Sequence, residues 1–449
     1  MLLSARQPHH EPTPLCANAS TRERQVFYDF RTRNLSLISG TMCGDFWTLD
    51  VLQTAQVYPA MWHAVLCISS TYSSLQMPTA ASTRQKHFTL SQCNAAIRHI
   101  SSSMASHEHL GLADKQVILL TSVLLVGFCS LQDDAKQASR IADHTLALCY
   151  KWNLFDLDSN TSSNAILSPA FVVGQMQRLL VQYLWLDNRV PCWLTRQAST
   201  VSISGKPFAS LTEALLELQP LLAAFQVLMH IERAPFVLKL AEGASDPRAR
   251  FVMAVAAWKG KFASMRVADG DGNDAELLQL WVCCVDLVLG HEIGQAEFGF
   301  DRLQPIHARM LSLAEQAMQG QADVTSRGTC RYFSFGLSLC EPLYVVARSC
   351  RDSLQRRRAI GLLRRLNRTE GLLKSAFLAD VAEAWLHAEE SDSRAWTLSE
   401  GHRVRPHACP HRIWGVSVTF LDGGLARVWL RSLEEVVLGQ SGKTVVIKS

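Results

Sequence analysis

A chain of 449 residues with 48% hydrophobic and 19% charged residues holds enough apolar material for a large core and too little charge for a disordered polymer. Its 44 basic against 40 acidic side chains leave a net charge of only +4, which is not the footprint of a protein that coats nucleic acid. Thirteen cysteines, an odd number at wide spacings, point to reduced, mostly buried thiols of an intracellular protein and exclude a dense secreted disulfide framework.

Residues 1–24, rich in Pro, His, Ser and Thr, show no apolar period and are expected to be a flexible segment with no signal peptide. Met61, Val65, Ile68, Tyr72 and Leu75 then step by four and three residues along one helix face, with Pro59 in its first turn. Leu90, Cys93, Ile97, Ile100 and Met104 repeat the stripe. Gln116 to Gln132 is free of charge, but at seventeen residues with Thr121, Ser122 and Ser130 it reads as a buried core helix; no membrane is expected as a partner.

Further helices are expected around residues 138–151, 174–188 and 211–231, the last kinked or split by Pro220. Phe251, Val255, Trp258, Phe262 and Met265 give another stripe, followed by helical segments around 274–291, 303–319 and 332–350. Leu373, Phe377, Val381 and Trp385 give the last one. In the tail, 401–449, Val416, Val418 and Phe420 alternate with small or polar residues, Asp422-Gly423-Gly424 supplies a turn, and Ala426, Val428 and Leu430 alternate again. That is a β-hairpin over 413–430. No fixed repeat is present. The expected fold is therefore an all-α, irregular multi-helix domain over 25–400, followed by a small C-terminal β-hairpin.

Near-motifs for chemistry each lack a required part. Gly439 to Thr444, GQSGKT, echoes a phosphate-binding loop, but Val437 stands where the first glycine belongs and no helix has room to follow. Asp269, Asp271 and Asn273 have calcium-loop spacing, but Asp274 and Leu280 replace the required glycine and glutamate. Asp133 and Asp134 lack the third carboxylate of a magnesium–diphosphate cluster, because Gln137 stands there. His402, His407, Cys409 and His411 crowd into one short stretch and do not form the two separated ligand pairs of a structural zinc site. No nucleophile elbow and no glycine-rich strand-to-helix turn occurs. Catalytic, cofactor-binding and metal-ligating residues are accordingly assigned to none, and no cofactor is expected.

The densest charge feature is the run of arginines between Arg348 and Arg368, with Asp352 its single acid. Arg356, Arg357, Arg358, Arg364 and Arg365 are the candidates for contact with phosphate or an import receptor. Beside them Ala359, Leu362, Leu363 and Leu366 form an apolar stripe, and a solvated helix face is the favoured reading.

Two long stretches carry a family likeness. Phe27 to Leu75, with an aromatic opening around Phe30, Phe46-Trp47, and Pro59 followed by His63-Ala64-Val65, resembles the start of the fungal-specific transcription factor domain. His87 to Ile100 is similar to the next helix of that family. The segment from Tyr332 to Trp385 resembles the closing helices through Pro342-Leu343, Cys350-Arg351-Asp352, Arg357-Arg358-Ala359-Ile360 and Glu370-Gly371-Leu372. That domain is the helical regulatory region of zinc binuclear cluster (Zn2Cys6) regulators.

The resemblance implies transcriptional regulation in a fungal nucleus, controlling a metabolic gene cluster such as one for a secondary metabolite. Implied partners are other transcription regulators or a homodimer, together with a small-molecule effector. One departure bears on DNA. Only Cys16 and Cys43 precede residue 60, so the six-cysteine zinc module is not assembled here, and DNA contact is expected only indirectly or weakly, through a partner or a missing zinc module. The alternative is a helical pathway enzyme or accessory protein of a biosynthetic cluster with no DNA role.

Overall fold

The computed structural model describes residues 18–76, 83–106, 110–156, 166–186, 203–233, 247–290, 300–325, 332–400 and 413–449, apart from positions 41, 43, 269, 270, 301, 433, 434, 436 and 437. Three quarters of it is helix, with a small C-terminal three-stranded sheet, as expected of an all-α body with a β element behind it.

Helix α1 (Thr21–Asp29) begins on a capping box: Ser20 Oγ accepts from the Glu23 amide at 3.3 Å, and the Glu23 carboxylate accepts from the Ser20 amide at 2.8 Å. Those two bonds start regular structure within the stretch 1–24. Short helices α2 (Leu35–Ser39) and α3 (Leu52–Val57) follow, preceded by π-helical turns at Phe30–Asn34 and Phe46–Val51. Then come α4 (Pro59–Gln76), α5 (Thr83–Ser106), α6 (Leu112–Leu131), α7 (Ala135–Lys151), α8 (Pro169–Leu186), α9 (Leu211–Arg233), α10 (Pro247–Ser264), α11 (Gly272–Leu289) and α12 (Gln304–Thr325). Strand β1 (Tyr332–Ser334) leads to α13 (Cys340–Ser349) and α14 (Ser353–Leu366); β2 (Arg368–Glu370) and β3 (Leu373–Lys374) precede the long α15 (Ser375–Glu400). The tail forms β4 (Ile413–Phe420), β5 (Leu425–Ser432) and β6 (Lys443–Lys448).

The charge-free helix α6 is the axis of the N-terminal half, packed against α4, α7 and α8. By length and composition it is the one described helix able to cross a membrane, yet 72% of that window is buried within the protein. Each buried Leu or Val along it stabilises the fold by roughly 1.5–3 kcal/mol. At its end Asp133 adopts φ +60° and pairs with Lys374 at 2.9 Å, while Asp134 caps α7 by accepting from the Gln137 amide at 3.0 Å. The adjacent acids are thus a turn and a helix cap.

Several expectations are corrected. Pro220 lies inside α9, which continues through it, so of the kink or split expected there the split is not made; the buried Leu218, Leu221 and Leu222 around it hold the helix together by packing. The helix expected over 332–350 starts only at Cys340. Tyr332–Ser334 instead pairs in parallel with Arg368–Glu370, with β3 antiparallel on the other side, an arrangement of strands too short to show a period in sequence. Leu373 belongs to β3 and not to the following helix.

The hairpin of β4 and β5 is present and gains a third strand, β6, from the segment that echoes a phosphate-binding loop. Gly442 turns with φ +66°, where a Cβ would stand 2.4 Å from the Leu430 carbonyl oxygen, and Lys443 and Thr444 then pair with Leu430 and Trp429. The apolar stripe of α5 also divides: Cys93 turns inward, whereas Leu90, Ile97 and Met104 are exposed. Residues 401–412, with His402, His407, Cys409 and His411, lie outside the described residues, as do 1–17.

Candidate functional site

Residues 27–75 and 332–385 meet in space. The Phe335 amide donates to the Ile38 carbonyl at 2.7 Å, and Trp47 stacks on Phe335 with ring centroids 5.2 Å apart and planes 7° from parallel. The Gly371 amide donates to the Ser334 carbonyl at 3.0 Å, which ties the β2–β3 turn to the same junction. Gly371 has φ +59°, and a Cβ there would stand 2.2 Å from Gln182 Oε1, so both backbone sense and close approach demand glycine.

Glu370, 1% exposed, is the polar hub of this junction. Its Oε2 accepts from Ser338 Oγ at 2.5 Å and from the amides of Leu339 at 3.1 Å and Cys340 at 2.9 Å, while Oε1 faces the Arg368 guanidinium at 3.3 Å. A carboxylate from a distant strand therefore caps α13, whose own N-cap residue, Leu339, has no side chain to do so.

In the first turn of α13, Glu341 lies at a small void between α8, α9, α11 and α13. Its volume of about 10 Å³ suits a single water, and Trp185, Phe225, Trp281 and Cys284 supply much of the wall. Two lining residues carry buried polar atoms with no hydrogen-bond partner among the described residues: Glu341 Oε1 and Trp185 Nε1. Burial pushes the Glu341 carboxyl well above the usual carboxylate range; nearby Glu370 adds to this, while Arg178 and a hydrogen bond from Gln182 oppose it. A neutral carboxyl offers a donor as well as an acceptor. The Arg348 guanidinium lies 4.8 Å from the Trp185 ring centroid on the way to Trp385, so a cation braces one wall.

The raised Glu341 carboxyl makes a pH prediction. An acid with a higher pKa when folded binds more protons in the native state, so stability falls as pH rises above its unfolded value near 4.5. Glu341→Gln is expected to match the parent near pH 4.5 and to exceed it by about 1–3 kcal/mol at pH 8, the ordinary cost of an uncompensated buried polar group. Urea titrations at the two pH values check this, and a constant difference across them contradicts it.

The arginine candidates are brought together on α14, but carboxylates meet most of them. Arg356, 3% exposed, donates through Nε to the Ala347 carbonyl at 2.8 Å and pairs with Glu389. Arg357 pairs with Glu390 at 2.8 Å, Arg358 holds Glu315 through two bonds, and Arg364 reaches Glu383 and Asp380. The pairing with Arg364 holds the Glu383 carboxyl below the usual range. Arg365 is exposed and, among the described residues, has no ion-pair partner. Beneath them Ala359, Leu362 and Leu363 are buried, so the segment is a solvated helix face stapled to α12 and α15. Asp352 caps α14 through the amides of Leu354 at 2.8 Å and Gln355 at 3.2 Å.

A wider groove of about 540 Å³ runs between α15 and β6, lined by Asp380, Glu383, His387 and Lys443 among others. The eight described cysteines are buried thiols outside any disulfide, and burial raises Cys284 and Cys340 well above the usual thiol range, which suppresses the thiolate and with it nucleophilic reactivity. Among the described residues no group of three or more His, Cys, Asp or Glu is placed to hold a metal ion.

Sequence reasoning missed Glu341 and Arg178, and named Glu370 only within the Glu370-Gly371-Leu372 motif, without its role as a polar hub. Each is a single charged residue in an apolar or turn-rich stretch, and its only local signal is a charge where the helical period calls for core. The chain has no match among protein-family models, curated proteins or solved structures.

Proposed function

We propose that this chain is the helical regulatory body of a transcription regulator acting in a fungal nucleus on a metabolic gene cluster. The observation that carries the reading is the junction of the two stretches with family likeness. Residues 27–75 and 332–385 lie some 300 positions apart, yet Ile38, Trp47, Phe335, Ser334 and Gly371 join them in one framework. Among the motif residues Trp47, Leu343, Cys350, Ala359 and Glu370 are buried, so part of the likeness lies in residues that hold the body together.

In this reading the body receives a signal and relays it to a DNA-bound partner regulator or zinc module. The void beside Glu341 and Trp185 is the proposed seat of the signal. Its apolar, largely aromatic wall suits a small apolar effector. At its present volume the void holds a water, so an effector enters by parting α9 from α13 and stabilises the parted state by its differential affinity.

Chromatin association tests the proposal. Crosslinking and sequencing of the tagged, nuclear protein is expected to enrich promoters of co-regulated metabolic genes, and to lose them when the DNA-bound partner is removed. A protein spread evenly over chromatin, or excluded from nuclei, contradicts it.

A further inference from the structure

Helix α5 presents an apolar row outward. Leu90, Ile97 and Met104 are 56%, 44% and 41% exposed, and they recur every seven residues over about 21 Å of helix at 1.5 Å per residue. Asn94 and Ser101, also exposed, fall between them, so the row advances by four and three residues like one strand of a coiled-coil seam. The other side of α5 is already occupied: Thr89, Gln92, Cys93 and Ala96 are buried, and the helix packs against α4. Exposed leucines scattered singly are ordinary on a protein surface; three at heptad spacing are a docking face.

Charge selects the occupant. From Thr83 to Ser106 the helix contains Arg84, Lys86 and Arg98 and no Asp or Glu. Lys86 and Arg98 are exposed, and each adjoins the row. The acid on neighbouring α1, Glu23, is engaged by Ser20 and Gln92 and faces the buried side. Two copies of α5 placed face to face carry basic residues and no acid, so no ion pair forms across them, which disfavours a second copy.

We infer that α5 seats an acidic amphipathic helix of a partner protein. Its apolar residues at heptad spacing cover Leu90, Ile97 and Met104, its Asp or Glu flanks face Lys86 and Arg98, and a polar residue opposite Asn94 sets the register. Two heptads make a small contact, so binding is weak, salt-sensitive and reversible. This surface stands apart from the void at Glu341 and does not depend on the regulatory reading.

The test uses the full chain and a fluorescent three-heptad peptide with leucine seam positions, one seam asparagine and glutamate flanks. Anisotropy at 50 mM NaCl is expected to show saturable binding with a Kd of about 10–100 µM, weakening at least about fivefold at 300 mM NaCl. The same peptide with lysine flanks is expected not to bind. Leu90→Glu with Ile97→Glu is expected to abolish binding while circular dichroism and Tm stay unchanged, since both positions are exposed. Equal binding of the two peptides, or full binding by the double variant, overturns the proposal. So does sedimentation showing that the parent dimerises and the double variant does not, because a second copy would then own the face.

Discussion

Replacing Glu370 by alanine is expected to lower the unfolding free energy by about 3–5 kcal/mol, the range for removing one member of a buried ion pair. The carboxylate accepts from Ser338 Oγ and the amides of Leu339 and Cys340 and faces Arg368, and all five residues are buried. Alanine removes the acceptor and leaves each of these donors without it, in a place water does not reach. Glu370→Gln keeps the shape and one acceptor oxygen, so its loss should be smaller, near half. Urea unfolding followed by tryptophan fluorescence measures both. A loss under about 1 kcal/mol for the alanine variant would show that α13 does not rely on the distant strand for its cap.

The second large effect separates arginines that look alike in the sequence. Arg356→Ala is expected to cost about 3–5 kcal/mol, because Glu389, which also accepts from Trp385 Nε1 at 2.9 Å and from the Ile413 amide at 3.0 Å, is left largely enclosed beside a vacated volume. That carboxylate links α14, α15 and β4, so the same change should loosen the C-terminal sheet first. Arg364→Ala, whose pairs with Glu383 and Asp380 lie at the surface, is expected to cost no more than about 1 kcal/mol. Denaturant midpoints of the two variants, with hydrogen exchange at β4, decide the matter. Equal losses would mean that the arginine run acts as one diffuse charged face.

Much of the fold was legible because burial writes a period into long helices. The stripes at Met61–Leu75, Phe251–Phe262 and Phe377–Trp385 all lie on helices, and the alternation at Val416–Phe420 and Ala426–Leu430 lies on paired strands. The failures share a cause. Tyr332–Ser334 and Leu373–Lys374 are three and two residues long, too short for alternation to register, and the first of them pairs with Arg368–Glu370, far along the chain. The row on α5 shows the converse: apolar spacing reports a helix face, and only the packing says whether this chain or another molecule covers it.

The site was less legible for a stronger reason. Glu341 follows Cys340 at the start of a helix, where an acid ordinarily serves the dipole from the surface. Its burial arises from α8, α9 and α11 closing over it, and no local pattern encodes that. The arginine run was visible at once, but the carboxylates that meet it come from α12 and α15, 16 to 43 residues away. Charge runs announce themselves in a sequence, and the groups that neutralise them do not.

The central claim, that this helical body relays a signal to transcription, is tested most directly by transcript levels. The account predicts that deleting the gene lowers or raises the transcripts of a co-located set of metabolic genes as a group, that the full chain restores them, and that Glu370→Ala does not. Unchanged transcripts in the deletion strain, accompanied by loss of a single metabolic conversion, would contradict it and hand the chain to the enzyme reading.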